Sequence, residues 1–133
     1  LPLAEAPPPL GAAVIVMGFP TGLRSLLVQT GEGFVKKLQA DGVTDFWEVA
    51  QRIAREGYIA PLSSRGIIGQ ATEAAIVYDA ETTHGGSGGP VLNTRGEVVA
   101  VNAAILPEYG GSNIGVPVAL LKALFESKEG PRP

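Results

Sequence analysis

The apolar residues of this chain come in short runs, and glycine or proline interrupts the stretches between them. Ala12 to Gly18 (AAVIVMG), Arg65 to Ala71 (RGIIGQA), Ala74 to Tyr78 (AAIVY) and Val98 to Val101 (VVAV) are each a strand's length and too short for a typical helix. Glycine frees the backbone and proline removes an N–H donor, so both punctuate regular structure. With Gly 18 and Pro 11 in 133 residues, the chain must turn often. Many tight turns between short apolar runs specify a mostly β fold. Val91-Leu92, the turn Asn93-Thr94-Arg95-Gly96 and Val98 to Val101 read as a hairpin. Phe19-Pro20-Thr21-Gly22 reads as a turn, and Asn113 to Val118 as a last strand.

One segment breaks the pattern. Between Gly31 and Gly57, Phe34, Val35 and Leu38 fit a short helix closed near Gly42. Asp45 with Glu48 three residues later marks a second helix start, and Phe46, Val49, Ala50 and Ile53 then share one face. Residues 31–57 are therefore expected to be a two-helix insertion, packed on the edge of the β domain through Phe46, Trp47, Val49 and Ile53. The Arg52, Arg55, Glu48 and Glu56 charges are its solvated face. Ala119 to Phe125 fits a closing helix. Residues 1–11, with Pro7-Pro8-Pro9, read as a linker, 12–128 as the domain and 129–133 as a tail.

Composition excludes several functions. The chain has no cysteine, so disulfides, thiol catalysis and cysteine-held metals are ruled out. A net charge of -3 gives no basic footprint for nucleic acid. No metal or cofactor site is expected. No apolar run approaches the roughly 20 residues of a membrane span. The opening LPLAEAPPPL lacks a basic n-region and does not start with Met, so the chain reads as a piece of a longer polypeptide.

The stretch Thr82-Thr83-His84-Gly85-Gly86-Ser87-Gly88-Gly89-Pro90 carries the chemistry. A serine between two glycine pairs is sterically bare, and glycines let consecutive N–H groups converge on one point. Acyl transfer needs a hydroxyl that reaches a carbonyl and amide donors for the oxyanion. Ser87 is the candidate nucleophile, and the backbone of Gly85 and Ser87 the candidate donors. A plain flexible turn is the alternative. A phosphate loop lacks its lysine here, and the G-x-S-x-G elbow of α/β-hydrolases would need a helix after the serine, where Pro90-Val91-Leu92-Asn93 starts a strand.

Gly85-Gly86-Ser87-Gly88-Gly89-Pro90 resembles the active-site signature of trypsin-like serine peptidases, and most of all the bacterial Deg/HtrA type. The likeness continues through Asp79-Ala80, through Val91 to Asn102, through Gly111 to Val118, and in Val16 to Gly22 and Arg65 to Ile68, about 90 residues in ordered blocks. It implies the second barrel of a chymotrypsin-like fold, a six-stranded antiparallel Greek-key barrel carrying the helical insertion and the C-terminal helix. It implies peptide-bond hydrolysis with Ser87 as catalytic nucleophile, an oxyanion hole at Gly85, Gly86 and Ser87, and Thr82, Val116, Pro117 and Val118 near the specificity pocket. It also implies a polypeptide substrate, leaves an oligomer open, and points to a bacterial cell-envelope or exported enzyme.

Two departures stand out. Gly86 precedes the serine, where trypsin has an acidic residue and Deg-type enzymes usually asparagine, so other contacts must hold the loop. The family's catalytic His and Asp lie on an N-terminal barrel outside this chain, which makes that barrel an expected partner. His84 is the only histidine. A base must approach the hydroxyl from outside the loop, so His84 reads as a local contact or an exposed side chain. Asp79 reads as a strand-end carboxylate bonding nearby amides. No carboxylate stands at the expected pocket base, although Glu81 is close by, so a small or apolar residue is expected before the scissile bond. The competing reading is a non-catalytic peptide-binding or scaffold module on a protease fold.

Overall fold

The computed structural model describes residues 1–19, 23–82, 85–106 and 112–127. Among them are six strands and three helices. The strands are β1 (Ala13–Gly18), β2 (Leu62–Ala71), β3 (Ile76–Tyr78), β4 (Pro90–Asn93), β5 (Val98–Leu106) and β6 (Ser112–Pro117). The helices are α1 (Leu23–Ala40), α2 (Phe46–Arg55) and α3 (Val118–Glu126). The strands close into an antiparallel barrel in the order β1-β2-β3-β6-β5-β4, the six-stranded barrel that the family resemblance implies. Closure leaves no unpaired sheet edge. Alternation sets the interior: Val14 and Val16 of β1 point inward, opposite Gly66 and Ser64 of β2, and meet Ile68, Ile76, Tyr78, Val91, Val99 and Ala100. The hairpin at 93–96 is present, with Gly96 N–H donating to the Asn93 carbonyl at 3.0 Å.

The opening segment is docked rather than loose. Val98 N–H donates to the Pro2 carbonyl at 2.8 Å, Ala4 N–H donates to the Val98 carbonyl at 2.9 Å, and Ala4 belongs to the barrel core. The turn at Pro20 to Gly22 and the tail at 129–133 lie outside the described residues.

The helical insertion starts earlier than its sequence suggests. α1 runs from Leu23 to Ala40, but Gly31 breaks it: its φ of 76° and ψ of 167° are not helical, so the boundary read at Gly31 stands and separates an earlier helical piece from the one expected. The second helix begins where the pattern places it: the Asp45 carboxylate accepts the Glu48 N–H at 3.0 Å, the N-cap bond that satisfies an otherwise orphaned donor. Its mode of packing is a correction. Val49 and Ile53 are buried against Phe34 and Leu38 of α1, not against the barrel. The Phe34 and Tyr58 rings meet edge to face, with centroids 5.1 Å apart. Phe46 and Trp47 stay 47% and 71% exposed. Two short amphipathic helices joined by a tight connection bury each other's apolar stripes first, and the aromatic pair falls outside that seam. The charged face also ties the helices together, through Arg52 to Asp41 and Lys37 to Glu56 at 3.3 Å, while Arg52 pairs with Glu48 within α2. Exposed pairs of this kind add little stability.

Candidate active site

The connection between β3 and β4 carries Ser87. Its outgoing limb is anchored to the barrel at three points. The Asp79 carboxylate accepts the Ile67 N–H at 2.7 Å, so it is the strand-end carboxylate its position suggests. The Asn113 carboxamide donates to the Ala80 carbonyl, and the Ser64 hydroxyl donates to the Glu81 carbonyl.

Ser87 occupies the corner of a four-residue turn. Gly89 N–H donates back to the Gly86 carbonyl at 3.1 Å. Among the described residues only glycines have positive φ, and Gly88 is one, at +86°. A negative φ at Ser87 followed by a positive one is the type II pattern, which favours glycine at its third position. Two further bonds of 2.8 Å pin the turn to β5, from Gly88 N–H to the Asn102 carbonyl and from Asn102 N–H to the Gly89 carbonyl. Gly89 lies so close to β1 that a Cβ there would stand 2.1 Å from the Met17 carbonyl oxygen. The turn is therefore clamped between β1 and β5. Ser87 is exposed, and its Oγ donates to the Ala103 carbonyl at 3.2 Å. A register irregularity between Asn102 and Ala104 sets Ala103 apart from the ladder. Among the described residues, no hydrogen-bond acceptor meets the N–H of Gly85 or of Ser87.

Behind the turn lies a buried polar relay. Asn102 is 3% exposed. Its Oδ1 accepts the Tyr78 hydroxyl, and its Nδ2 donates to the Gly86 carbonyl at 2.9 Å and lies 3.4 Å from Thr82 Oγ1. Burial pushes the Tyr78 phenol well above its ordinary value, so it stays protonated and donates. Every buried side-chain nitrogen or oxygen described has a partner. Next to the turn, a cleft of about 170 Å³ is bounded by Gly18, Ser63, Ser64, Glu81, Thr82 and Gly86.

Of the residues expected around the serine, Gly85, Gly86 and Thr82 are brought to it or to its cleft. Val116 lies on β6 opposite Val101 and is 39% exposed. Pro117 and Val118 line a different cavity, of about 460 Å³, with Ala4, Pro7, Pro8 and Ile76. On β6, Pro117 pairs with Ala100 of β5. His84, like Thr83, lies outside the described residues. Sequence reasoning missed Asn102 and Tyr78 as site residues. The available signal was a lone amide in the apolar run Val98 to Ile105. Among the described residues, no imidazole or carboxylate bonds the Ser87 hydroxyl, and no group of His, Cys, Asp or Glu side chains could hold a metal.

Residues 1–101 match the trypsin-like peptidase domain. This chain belongs to the trypsin-like peptidase family. The trypsin-like domain is 37% identical over 67 residues to the periplasmic pH-dependent serine endoprotease DegQ of Escherichia coli, covering 50% of this chain and 14% of DegQ. It is 44% identical over 46 residues to the putative serine protease HhoA of Synechocystis, covering 35% of this chain and 12% of HhoA. Among solved structures, the active form of the Rv3671c protease of M. tuberculosis superposes with a TM-score of 0.65 at 15% identity, covering 100% of this chain and 49% of that one. A serine endoprotease from Yersinia pestis superposes with a TM-score of 0.62 at 20% identity, covering 95% of this chain and 34% of that one. At those identities the superpositions establish the barrel fold. The trypsin-like domain thus spans less than half the length of these relatives.

Proposed function

We propose that this chain is the nucleophile-bearing half of a serine endopeptidase and that Ser87 attacks the scissile carbonyl of a polypeptide. The observation that carries this reading is an exposed serine at a clamped turn, whose own N–H and that of Gly85 have no acceptor among the described residues. Two such donors beside a hydroxyl are what a tetrahedral oxyanion requires. Gly86 joins them by fixing the turn through its carbonyl, and Thr82 and Val116 are proposed to flank the substrate. The hydroxyl needs a base within about 3 Å to become a nucleophile. A second barrel carrying His and Asp would supply it. The base would take the proton as Oγ attacks and return it to the leaving amine, and water would then release the acyl group by the same route.

A scaffold role is the second reading. It is favoured by the one bond that the Ser87 hydroxyl makes among the described residues, to a carbonyl that cannot accept the proton. A fluorophosphonate serine probe separates the two. The chain alone is expected to stay unlabelled, and to label at Ser87 when the His-bearing half is added in trans. Ser87→Ala in the two-barrel protein is expected to lose activity by a factor on the order of 10⁶. Turnover retained above a few per cent removes Ser87 from the mechanism. Absence of labelling in the mixture supports the scaffold.

A further inference from the structure

Two amides, Asn102 and Asn113, enter the otherwise apolar interior of the barrel. Asn113 ties down the outgoing limb at Ala80. Asn102 acts on the peptide that matters for an oxyanion. In a planar trans peptide the C=O and the N–H point in opposite directions. The Gly86 carbonyl is held inward by Asn102 Nδ2 at 2.9 Å and by Gly89 N–H at 3.1 Å. The N–H on the same peptide belongs to Ser87, so it must point outward, to the side where Ser87 is exposed. Turning that peptide over would aim a carbonyl at the oxyanion position instead of a donor.

The carboxamide is itself oriented. Its donor end must face the Gly86 carbonyl, which only accepts, so Oδ1 faces the Tyr78 hydroxyl, which donates. Gly86 has no side chain with which to hold its own peptide. We infer that Asn102, set by Tyr78, is the positioning residue that locks the Gly86–Ser87 peptide with its N–H toward the substrate. The inference rests on the protease reading for its catalytic consequence, but not for the geometry.

Two measurements test it. The first is amide NMR of this chain, which needs no activity. In Asn102→Leu and Asn102→Asp at neutral pH, the Ser87 and Gly89 resonances should move and Gly89 exchange should quicken at least about 10-fold, as the local turn opens. In Asn102→Asp the wild-type resonances should return on acidification, because a protonated carboxyl can again donate to the Gly86 carbonyl. A residue that merely fills space gives no such pH-dependent recovery. The second is turnover by the two-barrel protein, where kcat should fall by about 10²–10³ with KM within about threefold. Should the Asn102 variants fail to fold, Tyr78→Phe removes one oxygen and frees the carboxamide, and should still move the Ser87 resonance. Unchanged Ser87 and Gly89 amides in a folded Asn102→Leu or Tyr78→Phe protein overturn the inference. A wild-type two-barrel protein that neither turns over nor labels sinks the protease reading alone, and the NMR result then decides the geometry.

Discussion

Gly89→Ala tests how tightly the serine turn is clamped. The new Cβ would stand 2.1 Å from the Met17 carbonyl oxygen and 3.0 Å from that of Gly86. An ordinary carbon–oxygen contact is about 3.3 Å, so relief requires a displacement of about 1 Å. Met17 sits in β1, which is hydrogen-bonded to β2 on one side and β4 on the other. The turn, held by fewer bonds, is the part that yields. Overpacking of this kind costs about 1–3 kcal/mol. For a chain of this size that lowers Tm by about 4–12 °C. A 1 Å shift of catalytic groups costs on the order of 10² in rate, so activity in the two-barrel protein should suffer more than stability does. Gly88→Ala is the comparison. Its Cβ meets nothing within 4 Å, but φ is +86°, so it bears only the left-handed strain of about 1–2 kcal/mol. Its turn should stay in place and its kcat should fall less than that of Gly89→Ala. Calorimetry, amide NMR and steady-state kinetics on both variants settle the point. A Gly89→Ala protein with wild-type Tm and wild-type Asn102 and Gly86 resonances would refute the clamp.

Two further predictions address the rest of the molecule. Ile53 is fully buried in the α1–α2 seam, so Ile53→Ala should cost about 2–5 kcal/mol, read as loss of hydrogen-exchange protection in the helices with protection in the barrel strands retained; equal loss in β1 to β6 would refute a separate helical core. Glu97 accepts from the Asn93 carboxamide and from Arg95, and these bonds hold its carboxyl below the usual range. A lowered folded-state pKa stabilises the native state at neutral pH and is lost as pH falls through that pKa. Glu97→Gln should therefore be less stable than wild type in urea at pH 7, with the gap closing on acidification, and a gap that persists in acid would refute the assignment.

Much of this protein is legible in its residues, because the determining interactions are local. Short apolar runs between turns specify the strands, Asp45 with Glu48 specifies the start of α2, and the glycines around Ser87 specify a bare serine on a tight turn. Gly31 was legible as a break, since its φ of 76° is one that glycine favours, while the helical piece from Leu23 that precedes it was not. Asn102 and Tyr78 were not legible as partners, since 24 positions separate them and only β3–β6–β5 pairing brings them together.

The packing of the insertion shows the same division. Val49 and Ile53 form a stripe in any helix of this sequence, but the stripe cannot say which surface will cover it; tertiary structure gave it to α1. Likewise, the sequence by itself determined that Ser87 would be exposed on a glycine turn. Which way the peptide before it faces was decided by tertiary structure, because the carbonyl of Gly86 finds its donor on a strand that follows it in the chain and lies beside it only once the barrel has closed.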